Sequence, residues 1–189
     1  MEKILNYCWF GKGEKNDLIK RCMESWKKHL PDYEIKEWNE DNFPINYCTF
    51  TKQAYEQGKY AFVSDVARLY ALYHVGGVYV DTDVEVMKPL DEFLNEPAFT
   101  GFEMIGYPVC ATMGAEAGNP LIKELLDYYN DKEFEEKTNT RIISDILEKK
   151  GIDRYKNEIQ RIENITIYPR EYFNDKNGYT VHHMNGSWG

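Results

Sequence analysis

Ser64-Asp65-Val66-Ala67-Arg68-Leu69-Tyr70-Ala71-Leu72-Tyr73-His74-Val75-Gly76-Gly77-Val78-Tyr79-Val80-Asp81-Thr82-Asp83-Val84-Glu85-Val86 decides how this chain folds. The first part has helical spacing: Phe62, Val66, Leu69 and Tyr73 share a face, and the pattern extends from about Tyr60 to Val75. Gly76 and Gly77 stop that helix, and Val78-Tyr79-Val80 follows at once as a β-branched and aromatic strand. Upstream, Ile4 to Phe10 reads as a buried strand halted by Gly11 and Gly13. Leu18, Ile19, Cys22, Met23, Trp26 and Leu30 then recur at helical spacing, with Asp17 able to cap the start and Pro31 closing the end. Tyr33 to Trp38 is a second strand, which completes a β-α-β-α-β order.

Downstream the pattern changes. Ala98 to Phe102 and Val109 to Gly114 read as strands, and Asn119-Pro120 opens a helix carrying Leu121, Ile122, Leu125, Leu126 and Tyr129. A charged loop from 130 to 137 precedes a helix face of Ile142, Ile143, Ile146 and Leu147, stopped at Gly151. Short strands, Ile165 to Tyr168 and Tyr179 to His183, alternate with turns toward the end. With no internal repeat and no Pro-, Gly- or Ser-rich linker, the expectation is one α/β domain over residues 1–189: a mixed, mainly parallel sheet flanked by helices.

A chain of 189 residues is long enough to bury about 70% of its unfolded surface around one core. Its 28 aromatic residues (4 Trp, 15 Tyr, 9 Phe) exclude disorder and low-complexity fibres. A net charge of −9 repels phosphate backbones and argues against generic nucleic-acid binding. An anionic ligand must then be held locally. Cys8, Cys22, Cys48 and Cys110 form no CxxC pair, so buried thiols are expected rather than zinc or disulfides. The longest charge-free apolar run, Leu69 to Val80, is too short to cross a bilayer, and Met1-Glu2-Lys3-Ile4 does not begin a secretion signal. The expected location is cytoplasmic, possible contact with the inner membrane face included.

Within the helix, Asp65 and Arg68 stand at i, i+3 among apolar neighbours, as a partly buried salt bridge or as a polar clamp for ligand hydroxyls. If the following strand stays extended, its period of two places Asp81, Asp83 and Glu85 on one face. Such a face is either a solvated acidic edge or a site for a hard cation such as Mg²⁺ or Mn²⁺, shared with phosphate oxygens. Phosphotransferases whose first Asp is a nucleophile are an alternative, but they place Thr or Val where this chain has Glu85. A non-catalytic carbohydrate-binding module would account for the aromatic content and would not need Asp81 and Asp83.

The Ser64–Tyr73 segment with Gly76–Asp83 closely resembles the signature of the sugar-binding DXD glycosyltransferases of family 32, which includes bacterial capsular and lipopolysaccharide transferases and a group of mannosyltransferases. It is similar, more distantly, to the glucosylating domains of large clostridial toxins. Ile4 to Gly11, Ser25-Trp26-Lys27, Leu30 to Tyr33, and His182-His183 with Ser187-Trp188 extend the likeness. The resemblance implies a GT-A fold, a nucleotide-sugar donor (a UDP-sugar, or GDP-mannose), Mn²⁺ or Mg²⁺ on the diphosphate, and retention of anomeric configuration. It implies a nucleotide-binding first half (about 1–102), an acceptor-side second half (about 103–189), and a role in surface polysaccharide synthesis on a glycan or lipid-linked glycan acceptor.

Residue by residue, the resemblance matches Trp9 to an aromatic that packs on the nucleobase. Asp65 and Arg68 match a pair that grips donor-sugar hydroxyls, and Tyr79 lines the same pocket. Asp81 matches the carboxylate near ribose and metal, and Asp83 the direct metal ligand; with Asp65 and Arg68 they form the expected catalytic set. Near the C-terminus His183 is the expected further metal ligand, although alternation leaves open whether His182 or His183 faces the site. Ser187 and Trp188 are expected over the β-phosphate, and the chain stops one residue after Trp188, where family members commonly continue. Front-face attack and double displacement are both open, the front-face route being favoured because no further carboxylate stands out as a nucleophile; Glu103 is either a carboxylate near the acceptor or, by preference, a surface or cap carboxylate.

Overall fold

The structure, a computed structural model, describes residues 1–185. Strands β1 (Ile4–Cys8), β2 (Glu34–Trp38), β3 (Gly77–Val80), β5 (Ala98–Gly101), β6 (Thr112–Ala115), β7 (Gln160–Ile162) and β8 (Ile165–Tyr168) make a seven-stranded sheet in the order β2-β1-β3-β6-β5-β8-β7. Strands β4 (Val84–Val86) and β9 (Thr180–His182) form a separate antiparallel pair. In the large sheet β1 pairs parallel with both β2 and β3, and β5 parallel with β8, whereas β6 and β7 run against their neighbours. Five of the seven strands therefore point the same way, and the sheet is mixed and mostly parallel, as expected.

Helices cover both faces. Helix α3 (Tyr60–His74) packs across one face with α2 (Thr49–Glu56), α4 (Pro120–Asp127) and α5 (Asn139–Lys149), burying Phe50, Leu69, Leu72, Leu125 and Ile143 together. Helix α1 (Asp17–His29) and the short α6 (Arg170–Phe173) cover the other around Trp26, Phe93, Phe99 and Phe173. Full burial of side chains this large is worth about 1.5–3 kcal/mol each. Two polar ties fix the layers. Asn6, fully buried in β1, donates to the Gly76 and Val78 carbonyls (3.0 and 3.2 Å) and accepts from Trp38 Nε1 (2.9 Å), locking three strands into register. Trp26 Nε1 donates to Val84 O (2.8 Å), and Ser25 Oγ accepts from the Val86 N–H (2.9 Å), so α1 carries β4.

The strand after the glycines does not continue to Val86. It ends at Val80, and Asp81-Thr82-Asp83 turns, closed by Val84 N–H to Asp81 O at 3.0 Å. The chain leaves the large sheet there, and β4 takes β9 as partner, with Val84 opposite His182. Asn16 rather than Asp17 caps α1, its side chain accepting from the Ile19 N–H at 3.0 Å. Helix α2 was not expected, having no Asn-Pro start and few apolar residues, and neither were α6 and strand β7, which at four and three residues are too short to show a period.

Gly77 is positive in φ (94°), and a Cβ there would lie 2.5 Å from the Ile4 carbonyl oxygen. Gly77→Ala is expected to destabilise the protein by about 2–3 kcal/mol in denaturant unfolding, since strain and a backbone clash add. An unchanged midpoint would contradict this role for the turn.

Candidate active site

Beyond the end of β3 the sheet opens into a cleft of about 840 Å³, within the range that takes a nucleotide-sized ligand. Trp9, Asp65, Arg68, Tyr79, Asp81 and His182 all line it. Trp9 follows β1 and stands half-buried at the rim, its indole N–H donating to Gly13 O (2.8 Å) and the Lys15 amine 5.1 Å from its ring centre.

The floor is a buried ion cluster. Arg68 is 5% exposed; its Nη2 donates to Asp81 Oδ1 at 2.8 Å and lies 3.3 Å from Asp65 Oδ1. The guanidinium sits 4.6 Å from the centre of the Tyr79 ring, and the Tyr79 hydroxyl donates to Asp81 Oδ1 at 3.0 Å. The i, i+3 spacing on α3 places Asp65 and Arg68 together, and the sharp glycine turn returns the chain so that Tyr79 and Asp81 meet them. Burial pushes the Asp65 carboxyl up to about 7, opposed by Arg68 and by the Asn139 N–H, which donates to Asp65 Oδ2 at 3.1 Å. Burial pulls the Arg68 guanidinium down, but Asp81, Tyr79 and Asp65 together outweigh it and hold it firmly charged.

Arg68 Nε and Asn139 Nδ2 are buried and have no hydrogen-bond partner among the described residues, and both residues are among those that line the cleft. Donors left unpaired at a buried site cost about 1–3 kcal/mol each, a cost that a bound acceptor oxygen removes. Asn139 had no signal in the sequence: it lies 74 residues from Asp65 and only the packing of α5 brings it in.

Asp81, Asp83 and His182 can present one ligand atom each within 4.8 Å of one another, so this Asp-Asp-His group could hold a metal ion. Asp81 Oδ1 is occupied by Arg68 and Tyr79, leaving Oδ2 for a cation. Asp83, 4% exposed, accepts from the Asn185 N–H through Oδ2 (2.8 Å) and has His182 Nε2 at 3.3 Å from Oδ1. Two ligands at right angles around an ion with bonds of about 2.1 Å stand about 3 Å apart, so the spacing fits. Two carboxylates and an imidazole suit Mn²⁺ chemistry. Burial raises the Asp83 carboxyl, but its bonds to His182 and the Asn185 amide leave it below the ordinary carboxylate range. Burial lowers His182, and Asp83 and Glu103 overcome that and raise it to about 10.

His183 does not join this group. Pairing of β9 with β4 puts His182 opposite Val84 and points it inward, while the His183 ring meets Glu85 at 2.9 Å on the other side. Glu85 is thereby separated from Asp81 and Asp83, because the turn at residues 81–83 breaks the alternation that would have aligned all three. Ser187 and Trp188 lie outside the described residues. Glu103, expected at the surface, is instead partly buried with its carboxylate 2.9 Å from His182 Nδ1.

Residues 16–100 match the family described as the glycosyltransferase sugar-binding region containing DXD motif. That match takes in helix α3, the glycine turn and Asp81-Thr82-Asp83, so this part of the chain is similar to the DXD-motif glycosyltransferases. It is 35% identical over 78 residues to inositol phosphoceramide mannosyltransferase 1 of Schizosaccharomyces pombe, covering 40% of this chain and 23% of that one. With mannosyltransferase 3 of the same organism it is 26% identical over 132 residues, 66% of this chain and 36% of the relative. The chain thus spans well under half the length of these curated relatives. Among solved structures, a glycosyltransferase involved in glycosylation of the PBCV-1 major capsid superposes with a TM-score of 0.57 at 13% identity, covering 96% of this chain and 93% of that one. The PaToxG glycosyltransferase gives 0.52 at 19% identity, covering 67% and 59%. The chain therefore has the GT-A fold of these solved glycosyltransferases, and Asp81-Thr82-Asp83 lies within the segment that matches the DXD family.

Removing Arg68 leaves the buried Asp65 and the partly buried Asp81 carboxylates without their shared cation. Arg68→Met is expected to cost about 3–5 kcal/mol of stability, read by denaturant unfolding; a loss under about 1 kcal/mol would show the cluster to be solvated. A second expectation concerns pH. Because the folded Asp65 takes up protons above the unfolded value of 3.8, its contribution to stability falls as pH rises from there to about 7. The unfolding free energy of Asp65→Asn relative to the unaltered protein should therefore rise across that window, and a flat difference would contradict the burial.

Proposed function

We propose that the protein is a metal-dependent, retaining glycosyltransferase that moves a hexose or N-acetylhexosamine from a nucleotide sugar, a UDP-sugar before GDP-mannose, to a glycan or lipid-linked glycan acceptor. The observation that carries this is the convergence in one cleft of an aromatic rim, a buried sugar clamp with unpaired donors, and an Asp-Asp-His metal group. A phosphohydrolase would not need the first two, and a binding module would not need the third.

In this reading Trp9 stacks on the base, and Tyr79 and Asp81 close the ribose end. Asp65, Arg68 and Asn139 orient the sugar through hydroxyl contacts, Arg68 Nε and Asn139 Nδ2 supplying the donors that lack partners. Asp81, Asp83 and His182 would hold Mn²⁺ or Mg²⁺, which would supply positive charge against the leaving diphosphate. The carboxylates near the sugar are already committed: Asp65 to Arg68 and Asn139, Asp81 to Arg68 and Tyr79. That favours front-face attack, with the acceptor hydroxyl entering on the side of the leaving phosphate, over double displacement. Residues 1–102 supply most of the donor side and 103–189 the acceptor side. Among the described residues no helix is long and apolar enough to cross a membrane. In this reading the enzyme works in the cytoplasm in bacterial surface polysaccharide synthesis, peripheral contact with the inner membrane face included.

The test is release of nucleoside diphosphate from UDP-glucose, UDP-N-acetylglucosamine and GDP-mannose in Mn²⁺. Asp83→Asn is expected to lower release by about 100-fold or more with an unchanged circular dichroism spectrum, as does chelation of the metal. Release that survives both would overturn the metal assignment.

A further inference from the structure

Glu103 stands just past β5 and belongs to neither the sugar clamp nor the Asp-Asp-His group, yet its side chain is only 12% exposed. Its Oε1 lies 2.9 Å from His182 Nδ1. The same oxygen accepts from Asn174 Nδ2 at 3.2 Å, and that amide also reaches the Glu103 carbonyl at 3.3 Å. Asn174 Oδ1 in turn accepts the backbone N–H of His182 at 3.3 Å. Glu103 and Asn174 thus hold His182 by both ring and backbone. Only Nε2 is left, and it faces Asp83 Oδ1 at 3.3 Å.

An imidazole that binds a metal through one nitrogen has to donate the other N–H somewhere, and a carboxylate acceptor fixes both tautomer and ring orientation. Withdrawing Glu103 from water costs solvation, and its Oε1 is met in this network by the His182 ring and the Asn174 amide. A carboxylate kept there for packing could be an amide or an apolar side chain at no loss. One kept to aim the ring could not be removed without freeing His182 to rotate.

We propose that Glu103 is a positioning residue for the metal: by accepting the Nδ1–H of His182 it turns Nε2 toward Asp81 and Asp83, so metal affinity depends on a carboxylate outside the ligand set. The inference rests on the reading that Asp81, Asp83 and His182 hold the ion. It also separates Glu103 from a role in acceptor binding, which its place beside a shallower recess lined by Met104, Tyr107 and Arg141 would otherwise suggest.

The experiment is titration of Mn²⁺ alone into the full chain, with free ion counted by electron paramagnetic resonance, alongside thermal unfolding of the metal-free proteins. Glu103→Ala is expected to weaken Mn²⁺ binding by about 10–100-fold, and Glu103→Gln, whose amide oxygen still accepts the Nδ1–H, to stay within about 10-fold of the unaltered protein. A merely structural role would lower the melting temperature of Glu103→Ala and leave the affinity of the folded protein unchanged, which would overturn the inference. Asp83→Asn and His182→Ala distinguish the two layers. If they weaken Mn²⁺ binding and Glu103→Ala does not, the positioning role fails alone. If neither does, or if the unaltered protein takes up no Mn²⁺, the metal site itself fails and the inference with it.

Discussion

A guanidinium cannot be taken out of water without anions to meet it, and Arg68 is buried to 5% exposure. The site is organised by that requirement. Asp65 comes from one turn earlier on the same helix and Asp81 from the end of the next strand, so one cation pins α3 to the point where β3 leaves the sheet. Tyr79 lies flat against the cation and bonds Asp81 as well, which fixes the rotamer of the motif's first carboxylate. The cluster is a costly way to hold a helix on a sheet, since apolar residues of similar volume do so as well or better. Its retention at the floor of a cleft, with the buried Nε–H unpaired among the described residues, accords with a group shaped for a ligand.

The turn at residues 81–83 carries the second constraint. Because the strand stops at Val80, Asp81 remains with Arg68 while Asp83 swings under it, and β4 departs to pair with β9. That pairing brings the last described strand back across the motif and sets His182 against Asp83, with the Asn185 amide on the other oxygen. Residues some hundred positions apart thus share one small polar site, held from behind by α1 through Trp26 and Ser25. The fold delivers the carboxylates by local geometry and the imidazole by long-range pairing.

This division explains what could be read from the sequence. The helix–Gly-Gly–strand order, the sheet class and the grouping of Trp9, Asp65, Arg68, Tyr79 and Asp81 in one cleft were all legible, because each depends on periodicity or on neighbours close in the chain. The expectation that Glu85 would join the aspartates was not met, since it assumed an unbroken strand, and nothing in Val80-Asp81-Thr82-Asp83-Val84 marks the turn. The choice between His182 and His183 depends on the register of β9 against β4, which alternation alone leaves undetermined. Asn139 and Glu103 were hidden for a related reason: their meaning comes only from the partners that tertiary packing gives them.

The central claim is that an acidic chain holds an anionic nucleotide through a metal seated on Asp81, Asp83 and His182. Calorimetric titration of UDP and of GDP, each with and without Mn²⁺, tests it most directly. The account predicts binding of one nucleotide in preference to the other, present with Mn²⁺ and absent without it. Equal affinity in the presence and absence of the ion, or no binding of either nucleotide in both conditions, would contradict it.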